Sequence, residues 1–153
     1  MKNIFLILVF ATIATALSFG QKISSDKVPS SVLKAFKAKF ANASDIKWNI
    51  EKSKDYEAEF KFSDIEYSAN FRQDGTWLET ETELKVSQLP QTVSQAISKD
   101  FAGFKIDEAS KNETSDNKTF YEVEVSKDKE KYELKISTTG VILNKKVEKE
   151  DND

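Results

Sequence analysis

Between Tyr56 and Phe71 apolar and polar residues alternate strictly, first as Tyr56-Glu57-Ala58-Glu59-Phe60-Lys61-Phe62 and then as Tyr67-Ser68-Ala69-Asn70-Phe71. A period of two marks strands with one buried and one wet face. Ser63-Asp64 links these strands, and Gln73-Asp74-Gly75 supplies the next hairpin, since Asp-Gly readily takes the positive φ values of tight turns. A further strand runs from Trp77 to Lys85. Its simplest inward set is Leu78, Thr80, Thr82 and Leu84, which leaves Trp77, Glu79, Glu81 and Glu83 on the opposite face. Upstream, Ile46, Trp48 and Ile50 alternate with Lys47, Asn49 and Glu51 as a first strand.

The layout returns. Tyr121, Tyr132, Gly140 and Leu143 stand 65 residues after Tyr56, Tyr67, Gly75 and Leu78. A helix precedes each set. Val32, Phe36 and Phe40 fall at helical spacing after Val28-Pro29, and Val93, Ile97 and Phe101 do so after Leu89-Pro90, 61 residues later. Proline is tolerated where a helix opens, because its missing N–H has no partner there to lose. The change of offset predicts a longer loop over Lys111 to Lys118. The expected architecture is α+β: two tandem repeats, residues 28–85 and 86–148, each a helix followed by a roughly four-stranded antiparallel sheet. The helices would pack on one sheet face. Whether the two sheets fuse or abut is left open by the pattern.

The ends read differently. Lys2, the apolar run Ile4 to Leu17 and the small residues around Gly20 form a signal peptide, with cleavage expected after Gly20 and export to the periplasm or beyond. The run is shorter than the ~20 residues a membrane span needs, so no stable span is expected after cleavage. Residues 21–27 read as a mobile lead. Glu148 to Asp153 carry no apolar residue, and 149–153 read as a disordered tail.

Composition narrows the chemistry. The chain has no cysteine and no histidine, which excludes thiol nucleophiles, disulfides, Ser–His–Asp triads and the usual zinc sites. No cofactor is expected. Removing the first 20 residues takes away one lysine and no acid, moving the net charge from −3 to −4. With one arginine and lysines scattered among glutamates, nucleic acid is not an expected partner.

The order Val28-Pro29, Val32, Ala35-Phe36, Phe40, Trp48, Tyr56-Glu57-Ala58, Phe71, Asp74-Gly75-Thr76-Trp77-Leu78, Leu89-Pro90 resembles the β-lactamase-inhibitor-like, PepSY-like family of small exported proteins, chiefly of Bacteroidetes. The resemblance spans roughly residues 28 to 148. It implies tandem helix-plus-antiparallel-sheet units, an inhibitory or regulatory role, and no catalytic residues. This chain lacks the cysteines of the bacterial β-lactamase inhibitor protein, so the fold carries over better than the target.

Two readings fit the outer sheet face. One is a solvated surface of mixed charge. The other is a docking surface for a protein partner, using Trp77, Arg72, Asn70, Glu79 and Glu81, with Trp77 as the aromatic anchor. Such a partner would be an envelope hydrolase or peptidase, and the protein itself would not be an enzyme. The alternative function is a small-ligand or cation sensor, in which Glu79, Glu81 and Glu83 would line up for Ca²⁺.

Overall fold

A computed structural model describes residues 20–51 and 53–148. The expected signal peptide and the 149–153 tail lie outside the described residues, Gly20 aside. Nine strands form one antiparallel sheet in simple sequence order, β1 to β9. They are β1 (Gln21–Ile23), β2 (Ser44–Ile50), β3 (Tyr56–Phe62), β4 (Ile65–Phe71), β5 (Trp77–Glu83), β6 (Lys105–Thr114), β7 (Thr119–Lys127), β8 (Glu130–Ser137) and β9 (Ile142–Val147). Helix α1 (Ser30–Lys39) lies between β1 and β2, and α2 (Gln91–Asp100) between β5 and β6.

Pro29 and Pro90 stand immediately before the first helical residue, in extended conformation. Each helix buries a narrow stripe, Val32 and Phe36 in α1 and Val93 and Ile97 in α2. Around α1 the core is aromatic. The Phe36 ring meets Trp48, Phe60 and Phe71 edge-on, with centroids 5.2, 5.0 and 6.2 Å away, the geometry that the ring quadrupoles favour. Around α2 the core is mostly aliphatic: Val93 and Ile97 pack with Val123, Val125, Leu134 and Ile136. Both helices therefore sit on the same side of the sheet.

The two halves are joined by β5 and β6, which pair from Glu79↔Thr114 to Glu83↔Ser110. This settles the question the sequence pattern left open: the sheet is continuous. It also corrects the loop expected over Lys111 to Lys118. Only residues 115–118 turn; Lys111 to Thr114 extend β6 and pair with β5. A strand with no apolar side chains forms there because its backbone has partners on both sides, β5 and β7.

Three further expectations are corrected. Residues 21–27 are not a mobile lead: Gln21–Ile23 pairs with Trp48–Ile50, a 3₁₀ turn follows at Ser25–Lys27, and Ile23 packs against the α1 core. Ile46 is exposed, because the register of β2 on β3 shifts between Ser44 and Lys47 and Asp45 takes φ 53°. Trp77 is not on the outer face. Asn70 pairs with Glu79 but Phe71 with Trp77, so Leu78 is an extra residue in a bulge. The bulge turns Trp77 to the helix side, where it packs on the α1 core and donates from Nε1 to Thr80 Oγ1 at 2.9 Å. Lys39 Nζ lies 3.8 Å from its ring centroid. Beyond the bulge Thr80 and Glu79 recover the expected faces.

Each helix is also tied to the hairpin that crosses it. Ser31 Oγ donates to the Gln73 carbonyl at 2.7 Å, and Thr92 Oγ1 to the Thr138 carbonyl at 2.9 Å. Gly75 (φ 90°) and Gly140 (φ 82°) touch the first turns of α1 and α2, where a Cβ would stand 2.7 Å from the Ser31 carbonyl oxygen and 2.5 Å from that of Thr92. Gly75→Ala and Gly140→Ala should each destabilise the protein by about 2 kcal/mol or more, from the φ penalty plus the clash. Urea unfolding checks this; a loss below about 0.5 kcal/mol at either site would show that the hairpin is not pinned.

Candidate functional site

The inner face is closed by the helices. On the outer face the register sets polar side chains in rows across the strands. One row runs Asn49, Glu57, Asn70, Glu79, Thr114. The next runs Glu59, Ser68, Glu81, Asn112, Phe120, Ser137. A third holds Glu83, Ser110, Glu122 and Lys135, and a fourth Glu124, Glu133 and Lys146.

The expected site residues divide. Asn70, Glu79 and Glu81 lie together near the middle of this face, half-buried. Trp77 lies on the other face, as above. Arg72 is exposed in the β4–β5 hairpin, where its backbone N–H donates to Thr76 and its carbonyl accepts from Gly75. Neither Trp77 nor Arg72 therefore contributes to the sheet centre.

It is acidic, and Asn112, Ser110 and Phe120, which the sequence reading did not select, complete it. Asn112 is fully buried; Ser110 and Phe120 are nearly so. Asn112 Nδ2 donates to Ser110 Oγ at 3.2 Å and to Glu122 Oε2 at 3.5 Å. The Ser110 hydroxyl in turn favours the charged form of Glu81. Asn112 Oδ1 is buried and has no partner. Lys135 Nζ sits 3.4 Å from the Phe120 centroid, a cation–π contact.

Burial governs the carboxylates. It pushes Glu81 up to about 7, with repulsion from Glu122, Glu79 and Glu57 adding to it and the Ser110 hydroxyl opposing it. It likewise raises Glu57, Glu79 and Glu122; Asn49 opposes the shift at Glu57, and Lys135 opposes it at Glu79 and at Glu122. Among the described residues, none of these four makes an ion pair. The lysines on this face pair further out: Lys131 with Glu124, and Lys146 with Glu133 at 3.4 Å and Glu148 at 3.1 Å.

Glu79, Glu81 and Glu83 do alternate along β5, but alternate residues of one strand stay ~7 Å apart. Among the described residues no group of three acidic side chains converges closely enough to hold a metal ion. What the arrangement offers instead is a broad, desolvated acceptor surface.

Its titration affects stability with a definite sign. Glu81 holds its proton to about pH 7 when folded, against an ordinary value of 4.5. Between these values the folded state binds more protons than the unfolded one, so stability falls as pH rises through the window and levels off above it. The loss is on the order of 3 kcal/mol at most. Glu81→Gln should flatten this slope, raising the melting midpoint by several degrees at pH 8 and leaving it nearly unchanged at pH 4.5. Thermal melts from pH 4.5 to 8.5 check it; parallel curves for variant and wild type would exclude Glu81 as the group responsible.

Solved proteins from Bacteroides share this fold. A BLIP-like protein from Bacteroides fragilis is 28% identical, with 82% of this chain and 90% of that chain covered and a TM-score of 0.69. A protein from Bacteroides eggerthii, described among "putative periplasmic proteins", is 20% identical over 78% of this chain and 88% of its own, with a TM-score of 0.74. A domain-of-unknown-function family protein from Bacteroides ovatus is 23% identical over 80% and 91%, with a TM-score of 0.73. At such identities the last two show the fold alone. A comparison with curated proteins gives no match. The family model described as "Putative beta-lactamase-inhibitor-like, PepSY-like" matches residues 18–68 and 54–144. The chain belongs to this PepSY-like, β-lactamase-inhibitor-like family.

Proposed function

We propose that this is an exported, non-catalytic binding module that receives a protein partner on the outer face of its sheet and thereby restrains an envelope hydrolase or peptidase. The observation that carries the reading is the contrast between the two faces. One is sealed by α1 and α2. The other has no helix over it, yet holds Asn112, Ser110 and half-buried carboxylates in its middle. Desolvated polar groups cost stability, and a surface serving only solubility has no reason to carry that cost.

The family and the BLIP-like neighbour favour binding over catalysis, and the lack of histidine and cysteine removes the commonest catalytic groups. The periplasmic description of the similar Bacteroides eggerthii protein supports export to that compartment. Among the described residues no helix is long and apolar enough to cross a membrane. The chain is built as two tandem copies, 28–85 and 86–148. What supports this is the pair of hairpins with the same glycine, the same bulge after it and the same hydroxyl clamp from the helix. The docking residues are Asn70, Glu79 and Glu81, together with Ser68, Ser110 and Asn112. Arg72 stands at the rim, and Trp77 serves the scaffold.

Ser68 stands between Glu59 and Glu81 with a side chain small enough to leave the face open. Ser68→Trp should obstruct docking while suiting a strand. In affinity capture from native envelope extract, a protein retained by the wild type should be depleted at least about tenfold by the variant, as loss of well-packed contact would require. Equal recovery by both would exclude this face.

A further inference from the structure

On five consecutive strands, β3 to β7, the outer face carries Glu57, Glu79, Glu81 and Glu122, none of them in an ion pair among the described residues; Lys135, in register with Glu122, offsets part of the charge at Glu79 and Glu122. The lysines of this face flank the patch. Lys22, Lys47 and Lys61 lie on β1 to β3, in register with Asn49, Glu59 and Glu66. Lys131, Lys135 and Lys146 lie on β8 and β9 and are occupied by Glu124, the Phe120 ring and Glu133. Like charges gathered in a partly desolvated place repel, and the middle of the sheet is where this chain has left them unpaired.

The second observation is independent of charge. The amide of Asn112 spends its hydrogens on Ser110 and Glu122, and its oxygen, buried with the rest of the side chain, receives none. A buried carbonyl oxygen without a donor costs stability. Around it on this face, Glu122 and Glu81 in its ionised form are acceptors. The Ser110 hydroxyl favours the charged form of Glu81. Once Glu81 is ionised it has no proton to donate, and the surrounding carboxylates favour a donor that carries positive charge.

We propose that the centre of the outer face is a receptor for a cationic side chain, lysine or arginine, presented by the docked protein. The inference rests on the docking reading above and names the chemistry of what docks. Ammonium and guanidinium groups are all donor and no acceptor. Either completes Asn112 Oδ1 while neutralising Glu81 and its neighbours, and the planar guanidinium reaches two acceptors at once. Metal ions do not fit, since among the described residues the carboxylates do not converge. The site then responds to pH. Glu81 is faced by Ser68 and Asn70 of β4, Ser110 and Asn112 of β6, and at longer range by Glu57 of β3, Glu79 of its own strand and Glu122 of β7. Lys135 of β8, beside Glu122, offsets part of this charge, and deprotonation of Glu81 makes the site a better receptor.

The probe is acetyl-(Gly-Arg)3-amide, titrated into the ¹⁵N-labelled mature protein, with acetyl-(Gly-Gln)3-amide as control. Saturable shifts are expected at the Asn112 side-chain amide and at the backbone of residues 79–81 and 110–112, for the arginine peptide only. Affinity should rise several-fold from pH 6 to pH 8 as Glu81 ionises and fall several-fold from 20 to 200 mM salt. It should drop about tenfold in Glu81→Gln, the loss of one charge-assisted contact. Absence of saturation, equal shifts with the glutamine peptide, or shifts that spare Asn112 would overturn the proposal. The two readings also fail separately. If Ser68→Trp abolishes capture of an envelope protein but Glu81→Gln and Glu122→Gln leave that capture unchanged at low salt, the face docks a partner and the cationic receptor is wrong. If neither class of variant matters, the docking face itself falls.

Discussion

The β5–β6 ladder is the contact on which the rest depends. It makes one nine-stranded sheet from two helix-backed halves, and it does so almost without apolar side chains: Glu79 to Glu83 on one strand, Ser110 to Thr114 on the other. Backbone hydrogen bonds carry the join. Edge strands with exposed N–H and C=O groups invite association with other chains, and pairing two of them here removes that liability. The same pairing also creates the centre of the outer face. Glu81 is desolvated because β4 and β6 flank it on both sides; at an open edge it would be solvated and ordinary.

The polar seam has a counterpart on the helix side. There Thr80, Thr82, Lys111 and Glu113 lie between the aromatic core under α1 and the aliphatic core under α2, and Lys111 pairs with Glu113 at 3.0 Å. The protein thus has two separate apolar centres bridged by a hydrogen-bonded strip. Each centre is small, and each depends on its helix being held at a fixed depth. That is the part played by the hydroxyl of Ser31 or Thr92 and by the glycine it faces across the hairpin. Trp77 belongs to this scaffold. Clasped between Thr80 and Lys39, it fills the inner face where the β5 bulge opens it.

Much of this was legible in the residues, and the failures share a cause. Strict alternation from Tyr56 to Phe71 located β3 and β4, because both strands bury one full face and a one-residue slip would expose it. The faces of Glu79 and Glu81 followed from the same rule. Trp77 defeated it: a bulge inserts one residue, and nothing in the sequence around Leu78 announces where a strand will gain one. Lys111 to Thr114 defeated it differently. Residues without apolar side chains read as loop, yet this segment is held by backbone partners on either side, a tertiary fact with no local signal. The three residues of β1 were too few to show any period.

The candidate site was hidden for the same reason as the seam. Glu57, Glu79, Glu81 and Glu122 come from three strands; in the sequence Glu57 and Glu122 sit in runs where polar residues simply alternate with apolar ones, and Glu79 and Glu81 in a run of glutamates and threonines. Only register brings them to one place, and only burial distinguishes them from the solvated glutamates at the rim. A sequence reading sees a face of mixed charge because it averages over that face. In the fold the average separates, with lysines at both flanks and acids in the middle, and the separation follows from which strands are central. A sheet built from one half alone would place Glu79 and Glu81 on an edge strand, without Asn112 and Ser110 beside them. The acceptor patch is thus a property of the joined sheet, assembled only where β5 and β6 share one ladder.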